Sequence, residues 1–433
     1  MVGFIYRSNF LKNILITSSG TVISQTIVLA SMFFLTRLYT SQSFGYYSIF
    51  SSIILISACI STGKFEQAIF LPKTSTGAGN TFNASIYLNI GFSVFLFLVL
   101  VGLNFFLPEK GKIPDAQPWI FLIPLSVASI GMLSSLQMWF SRLELYRTIS
   151  LMSIVQTIST VIGHFLFAFY GIINNGLIYG YLLGNLVSIC ILLLIGKEQK
   201  IFAGNQFIFS LHSIKKVFLK YPQFPRYTLL SEFVFSISQQ ALPLLLAVMF
   251  NSVVVGLFAM GNRFVRAPLI VISNSVWGVF RNEIVKKFHN NESFVNLLTK
   301  TVLALTVLII VPFFVIVLFA PQIFTFLFGV NWYEAGIYAS ITAPMLFSEF
   351  VSYPISNIYL ITGKQKILTR IQLAFNLLAF IAVLITKLSY NNPTISLRFY
   401  SYIITFMNIV SVIFAFRIRK YPFKVLNNKA LII

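Results

Sequence analysis

The feature that most constrains this chain of 433 residues is a succession of apolar runs, each about twenty residues long, divided by short breaks. A helix of about twenty apolar residues is long enough to cross a hydrocarbon core. It also satisfies its own backbone polar groups where no water can. The runs fall near 14–36, 44–71, 81–106, 118–141, 149–170, 175–196, 226–250, 253–277, 297–319, 335–361, 368–387 and 396–417. The breaks carry turn chemistry or charge: Pro108, Gly111 and Pro114 in one, Gly171–Gly176 in another, then Gly196–Arg226, Gly278–Asn296, Gly329–Glu334 and Asn391–Pro393. The pattern predicts an all-α, polytopic membrane protein of about twelve transmembrane helices. No small-residue cleavage site follows the first run, Ile14–Leu35, so it reads as a span and not as a signal peptide.

Charge adds a direction. Only 9% of the residues are charged, against roughly a quarter in soluble domains, so a water-facing surface could not be covered. A net charge of +21 raises the question of nucleic acid, but that needs cations gathered on one exposed face. Here they sit in short gaps between apolar runs and face membrane lipids instead, so no nucleic-acid partner is expected. With the N-terminus inside, Lys and Arg are about fourfold more numerous on the inner side. Lys73, Arg142, Lys197, Lys215, Lys216 and Lys364 fall there, while Arg37, Lys110, Lys112, Lys387 and Arg398 fall outside. Both termini are expected in the cytoplasm.

The longest break, 197–225, lies near the midpoint and predicts two six-helix lobes, 1–196 and 226–417, with a basic cytoplasmic tail at 418–433. Weak internal similarity agrees with this. Ser24-Gln25 precedes Phe44-Gly45-Tyr46-Tyr47-Ser48 as Ser238-Gln239 precedes Val255-Gly256-Leu257-Phe258-Ala259, and Pro124 corresponds to Pro344. Parallel repeats of this kind occur in transporters.

No phosphate-cradling loop, dinucleotide turn or metalloprotease helix occurs, so neither an enzyme nor an ATP-driven pump is expected. Cys59 and Cys190 sit in apolar runs without metal or redox spacing. No cofactor or metal is predicted. The informative residues are ionisable groups within the spans, where a charge costs roughly 2.5–3.5 kcal/mol on insertion scales. Arg263 and Arg266 are spaced to share one helical face, and paired guanidinium groups suit a phosphate-bearing anion. The alternative is that each pairs with an internal Glu as structural glue. Glu232, Glu349 and Glu66 are the acids, either as ion-coupling groups or as counter-charges; Glu66 beside Lys64 reads as an interfacial ion pair. His164 fits a proton relay or a buried histidine hydrogen-bonded between helices. Arg37 closes the first span, where a long cation lines a substrate path or snorkels to the headgroups. Pro124, Pro243, Pro268, Pro312, Pro344 and Pro354 invite kinks.

Several tracts resemble the oligosaccharide flippases of the Wzx type, polysaccharide biosynthesis proteins in the superfamily that also holds the multidrug and toxin extrusion (MATE) transporters. They are Leu35-Thr36-Arg37-Leu38-Tyr39-Thr40, Gly63-Lys64-Phe65-Glu66-Gln67-Ala68-Ile69-Phe70-Leu71-Pro72-Lys73, Tyr221-Pro222, Ser238-Gln239-Gln240, Gly256-Leu257-Phe258 leading to Asn262-Arg263 and Pro268, and Phe328-Gly329 with Trp332 and Ala335-Gly336. The resemblance implies a MATE-like fold whose two lobes enclose a cationic cavity open to one side at a time. It implies transfer of an undecaprenyl-diphosphate-linked oligosaccharide from the cytoplasmic to the periplasmic leaflet of a bacterial inner membrane, for O-antigen or capsule synthesis. A polysaccharide polymerase and a chain-length regulator are candidate partners. Arg263 falls in a tract where the family carries an Arg; Arg266 and Glu349 rest on the physical argument alone. The rival readings are an ion-coupled drug or toxin exporter, against which two intramembrane arginines argue, and a membrane-embedded enzyme acting on lipid-linked sugars.

Overall fold

In a computed structural model, residues 2–106, 118–199, 201, 211–290 and 292–418 are described, and no strand occurs among them. The expected basic tail with Arg419, Lys420, Lys424 and Lys429, and the break holding Lys110 and Lys112, lie outside the described residues. Helices α1 (Val2–Leu38), α2 (Ser41–Ser61), α3 (Phe65–Ala68), α4 (Ser75–Phe106), α5 (Ile123–Arg142), α6 (Tyr146–Phe169) and α7 (Gly176–Glu198) make the first half. Then follow α8 (Leu211–Lys220), α9 (Leu229–Met249), α10 (Ser252–His289), α11 (Val295–Phe328), α12 (Tyr333–Ile355), α13 (Asn357–Ile361), α14 (Gln365–Tyr390) and α15 (Pro393–Arg417). Two compact units result: residues 1–260 with 324–333, and residues 261–323 with 334–433.

Eleven helices are long and apolar enough to cross a bilayer among the described residues, one fewer than the apolar runs predict. The twelfth, α12, is present and has 23 residues, but Glu334, Glu349, Pro344 and Pro354 dilute its apolarity. Half of α12 is buried in protein, including Ala335, Tyr338, Ala339 and Phe350. A helix packed mainly against other helices has less need of a lipid-compatible surface.

Other boundaries shift for local reasons. The second run does not continue to residue 71, because α2 ends at Ser61 and the chain turns through Gly63 and Lys64, both at φ 61°. Glycine enters that left-handed region freely, whereas Lys64 does so at a cost. Glu66 therefore lies in the four-residue α3 and not within a span. The break predicted at Gly278–Asn296 is mostly helical, since α10 runs on to His289. The long break at 197–225 likewise holds a helix, α8. Starts are encoded where capping chemistry permits. The Thr40 hydroxyl accepts from the Ser43 N–H at 3.2 Å, and the Asn392 side chain from the Thr394 N–H at 2.9 Å ahead of Pro393.

Within the first unit, close packing depends on small residues. Gly176, Gly180 and Gly184 recur every fourth residue along α7, and a Cβ at Gly180 would meet His164 and Gly163 of α6. One at Gly184 would meet Thr160. Such stripes let helix backbones approach where no hydrophobic effect drives them together. A buried polar chain adds specificity: the Gln156 amide donates to Asn185 Oδ1 at 2.7 Å, and Asn185 donates to the Ser129 hydroxyl at 3.4 Å.

The two segments alike in sequence pack against each other within the first unit. Ser41 opens α2 and Ser252 opens α10, and each is followed four residues later by a glycine, Gly45 or Gly256. A Cβ at Gly45 would strike the Ser252 carbonyl, and one at Gly256 would strike the Ser41 carbonyl. The two segments thus meet reciprocally at their helix starts.

Candidate functional site

Two constellations of ionisable residues hold the candidates, one in each unit. In the second, α10 and α12 bring together Arg266 and Glu349, whose side chains form an ion pair. The two side chains remain 28% and 32% exposed, so the pair is neither sealed in protein nor fully open. Tyr400 of α15 is buried within electrostatic reach of both charges. Asn408, also on α15, donates to the Ser348 hydroxyl at 3.0 Å and accepts from the Ser352 hydroxyl at 3.2 Å. Ser348 and Ser352 flank Glu349 on its helix, so a polar strip runs along this contact. Arg263 lies one turn before Arg266 on α10 and is exposed. Pro268 follows within the same helix.

The other constellation sits where α2 turns into α3 and meets the start of α9. Lys64 Nζ is 2.5 Å from Glu232 Oε2 and 3.6 Å from Glu66 Oε1. The Gln67 amide donates to Glu232 Oε1 at 2.6 Å. Burial disfavours the Lys64 ammonium, but its hydrogen bond to Glu232 and the charges of Glu66 and Glu232 outweigh that, holding its pKa above the ordinary value. Glu66 is buried, and its Oε2 has no hydrogen-bond partner among the described residues. Two carboxylates thus share one ammonium, with Glu232 holding the nearer position. Arg142, from the end of α5, donates to the carbonyls of Ile69 and Pro72 at 2.7 and 2.6 Å and pins the chain leaving α3.

The remaining candidates, His164 and Arg37, belong to the first unit. His164 is buried; its Nε2 lies 2.9 Å from the Leu177 carbonyl, and its backbone carbonyl accepts from the Tyr39 hydroxyl at 2.6 Å. Arg37 is exposed in the last turn of α1, where its charge complements the helix dipole. No cluster of three or more His, Cys, Asp or Glu suited to a metal occurs among the described residues.

A profile described as polysaccharide biosynthesis protein matches residues 34–336, well over half of the chain. The chain belongs to the polysaccharide biosynthesis protein family. The matched stretch includes the Lys64 constellation and Arg266 and ends before Glu349. No curated protein sequence matches the chain. Among solved structures, the lipid II flippase MurJ in an inward closed conformation superimposes with a TM-score of 0.71 at 15% identity, covering 93% of this chain and 87% of that one. A transporter of the MOP superfamily from Pyrococcus furiosus gives 0.61 at 14% identity, with 94% of each chain covered. An inward-facing multidrug resistance MATE transporter gives 0.59 at 16%, covering 91% and 93%. At such identities the likeness speaks for the fold: this family member has a MATE-like, multi-pass membrane architecture.

Sequence order sets Lys64 beside Glu66 but gives no sign of Glu232, which is far away along the chain. The glycine stripe of α7 is legible as repeated small residues at a spacing of four, a signal that the apolar runs around it obscure.

Proposed function

We propose that this family member is a flippase. It carries an undecaprenyl-diphosphate-linked oligosaccharide from the cytoplasmic to the periplasmic leaflet of the inner membrane, for O-antigen or capsule synthesis. The observation that carries the reading is the half-open ion pair between Arg266 of the membrane-crossing α10 and Glu349 of α12. Arginine glue serving structure alone would be expected to be buried. An arginine side chain that stays 28% exposed can exchange a carboxylate for a diphosphate, which it binds bidentately.

In this scheme Arg263 and Arg266 compensate the diphosphate while the polyprenyl tail stays in lipid, and Arg37 adds charge at the outer end of α1. Glu349 then has to be neutralised by a proton or another cation, which makes it a coupling candidate. Glu232, Glu66 and His164 are further candidates or counter-charges. The two six-helix lobes, 1–196 and 226–417, alternate access. The basic bias of the inner segments favours cytoplasmic termini. A polysaccharide polymerase and a chain-length regulator would act on the delivered product, and the chain itself would catalyse no covalent step.

The test is complementation in cells lacking the protein. Native protein restores surface glycan; the double variant Arg263→Ala/Arg266→Ala is expected to leave display reduced at least tenfold, with lipid-linked oligosaccharide accumulating. Undiminished display with both arginines gone would overturn the cationic mechanism.

A further inference from the structure

We propose that α8 is an interfacial helix that binds the anionic phospholipid headgroups of the membrane surface. Helix α8 has ten residues, Leu211–Lys220, and its two faces differ completely. Val217 and the following Tyr221 are buried with Phe65, Ala68, Ala84 and Phe224, and Ile214 and Phe218 pack against the same cluster. At 100° per residue these four positions span one side of the helix. The opposite side presents Lys215, Lys216, Leu219 and Lys220, all exposed. No Asp or Glu occurs between Leu211 and Thr228, so nothing within the segment neutralises these cations, and Arg226 extends the basic surface beyond the helix. Lys220 additionally lies over the Tyr221 ring at 5.3 Å.

Charge alone would also suit an acidic soluble partner. Two observations select a lipid surface. Leu219 is 74% exposed in the middle of the lysines, and Tyr227 and Leu230 continue as exposed apolar side chains. In water that exposure is unfavourable, whereas at the headgroup boundary apolar residues insert and lysines snorkel outward. The docking partners Ala84 and Leu88 belong to the membrane-crossing helix α4, which sets α8 alongside a span. The occupant that fits both the charge and the depth is an anionic phospholipid.

The experiment uses the full chain with Cys59→Ala and Cys190→Ala, carrying Leu219→Cys labelled with a fluorescent donor. It is reconstituted in phosphatidylcholine vesicles containing about one third phosphatidylglycerol, a composition chosen to give a strongly anionic surface. Energy transfer to acceptor-labelled phosphatidylglycerol is compared with transfer to acceptor-labelled phosphatidylcholine. The expected result is a preference for phosphatidylglycerol that falls by up to about fivefold per lysine removed at low salt, since each contributes about one such factor near an anionic surface. The variant Lys215→Gln/Lys216→Gln/Lys220→Gln should lose it with its thermal unfolding unchanged, because these side chains face away from the docked cluster. Equal transfer to both lipids overturns the proposal, as does a preference that survives in the triple variant. It also fails if the label stays open to aqueous iodide, which would mark a water-side surface. A response to added undecaprenyl diphosphate but not to phosphatidylglycerol would assign the face to substrate and refute it as well.

Discussion

Replacing Glu349 with Gln removes the counter-charge of Arg266 while preserving shape and most hydrogen-bonding capacity. Breaking a fully buried pair in this way costs about 3–5 kcal/mol, and breaking an exposed one about 0.2–1 kcal/mol. With side chains 28% and 32% exposed, this pair lies between the two. Glu349→Gln is expected to destabilise the protein by about 2 kcal/mol. Arg266→Gln should cost a similar amount, because it strands the carboxylate. The double variant Arg266→Gln/Glu349→Gln leaves no unpaired charge and should cost about 1 kcal/mol. Unfolding of all four proteins in detergent micelles would then show a coupling well above the roughly 0.5 kcal/mol scatter of independent sites. Glycan display separates stability from transport: Glu349→Gln frees Arg266 for substrate yet removes the group proposed to return it, so transport should slow even at temperatures where the fold persists. If the single costs simply add in the double variant, the pair does not couple and the proposed exchange loses its basis.

Two further outcomes follow from the first unit. Glu232→Gln should weaken the contact between α9 and the α2–α3 turn. Because the folded-state pKa of Lys64 is raised, the native pair stabilises fully below the ordinary lysine value of 10.5 and is lost as pH rises beyond it. The stability difference between native and variant should therefore be flat through neutral pH and shrink only in the alkaline range; a difference that vanishes near pH 7 would contradict it. Gly45→Ala or Gly256→Ala places a Cβ against a backbone carbonyl of the facing helix start, and each should cost about 1–3 kcal/mol in the same assay, whereas Gly278→Ala, where a Cβ meets nothing within 4 Å, should not.

Much of the architecture was legible along the chain. The helical class and the order of the spans follow from the apolar runs, because the bilayer dictates the internal bonding and the minimum length of a span. The sequence similarity around Gly45 and Gly256 picked out two helix starts that pack against each other within the first unit. Single residues limited this precision: Gly63 and Lys64 ended α2 ten residues early, and Gly278 failed to end α10. In an isolated sequence a glycine permits a turn without requiring one.

The pairings were another matter. Both Arg266 and Glu349 were recognisable as costly intramembrane charges, and so was Glu232, yet nothing in the order of residues matched Arg266 to Glu349 or Glu232 to Lys64. In a soluble protein the polar and apolar faces of a helix reveal which side turns inward. In a membrane both the lipid-facing and the protein-facing sides are apolar, so that information is largely erased. Which helix faces meet, and therefore which charges become partners, is a property of the packed structure alone: α10 comes up against α12 at Gly261, where a Cβ would strike the Ala335 carbonyl.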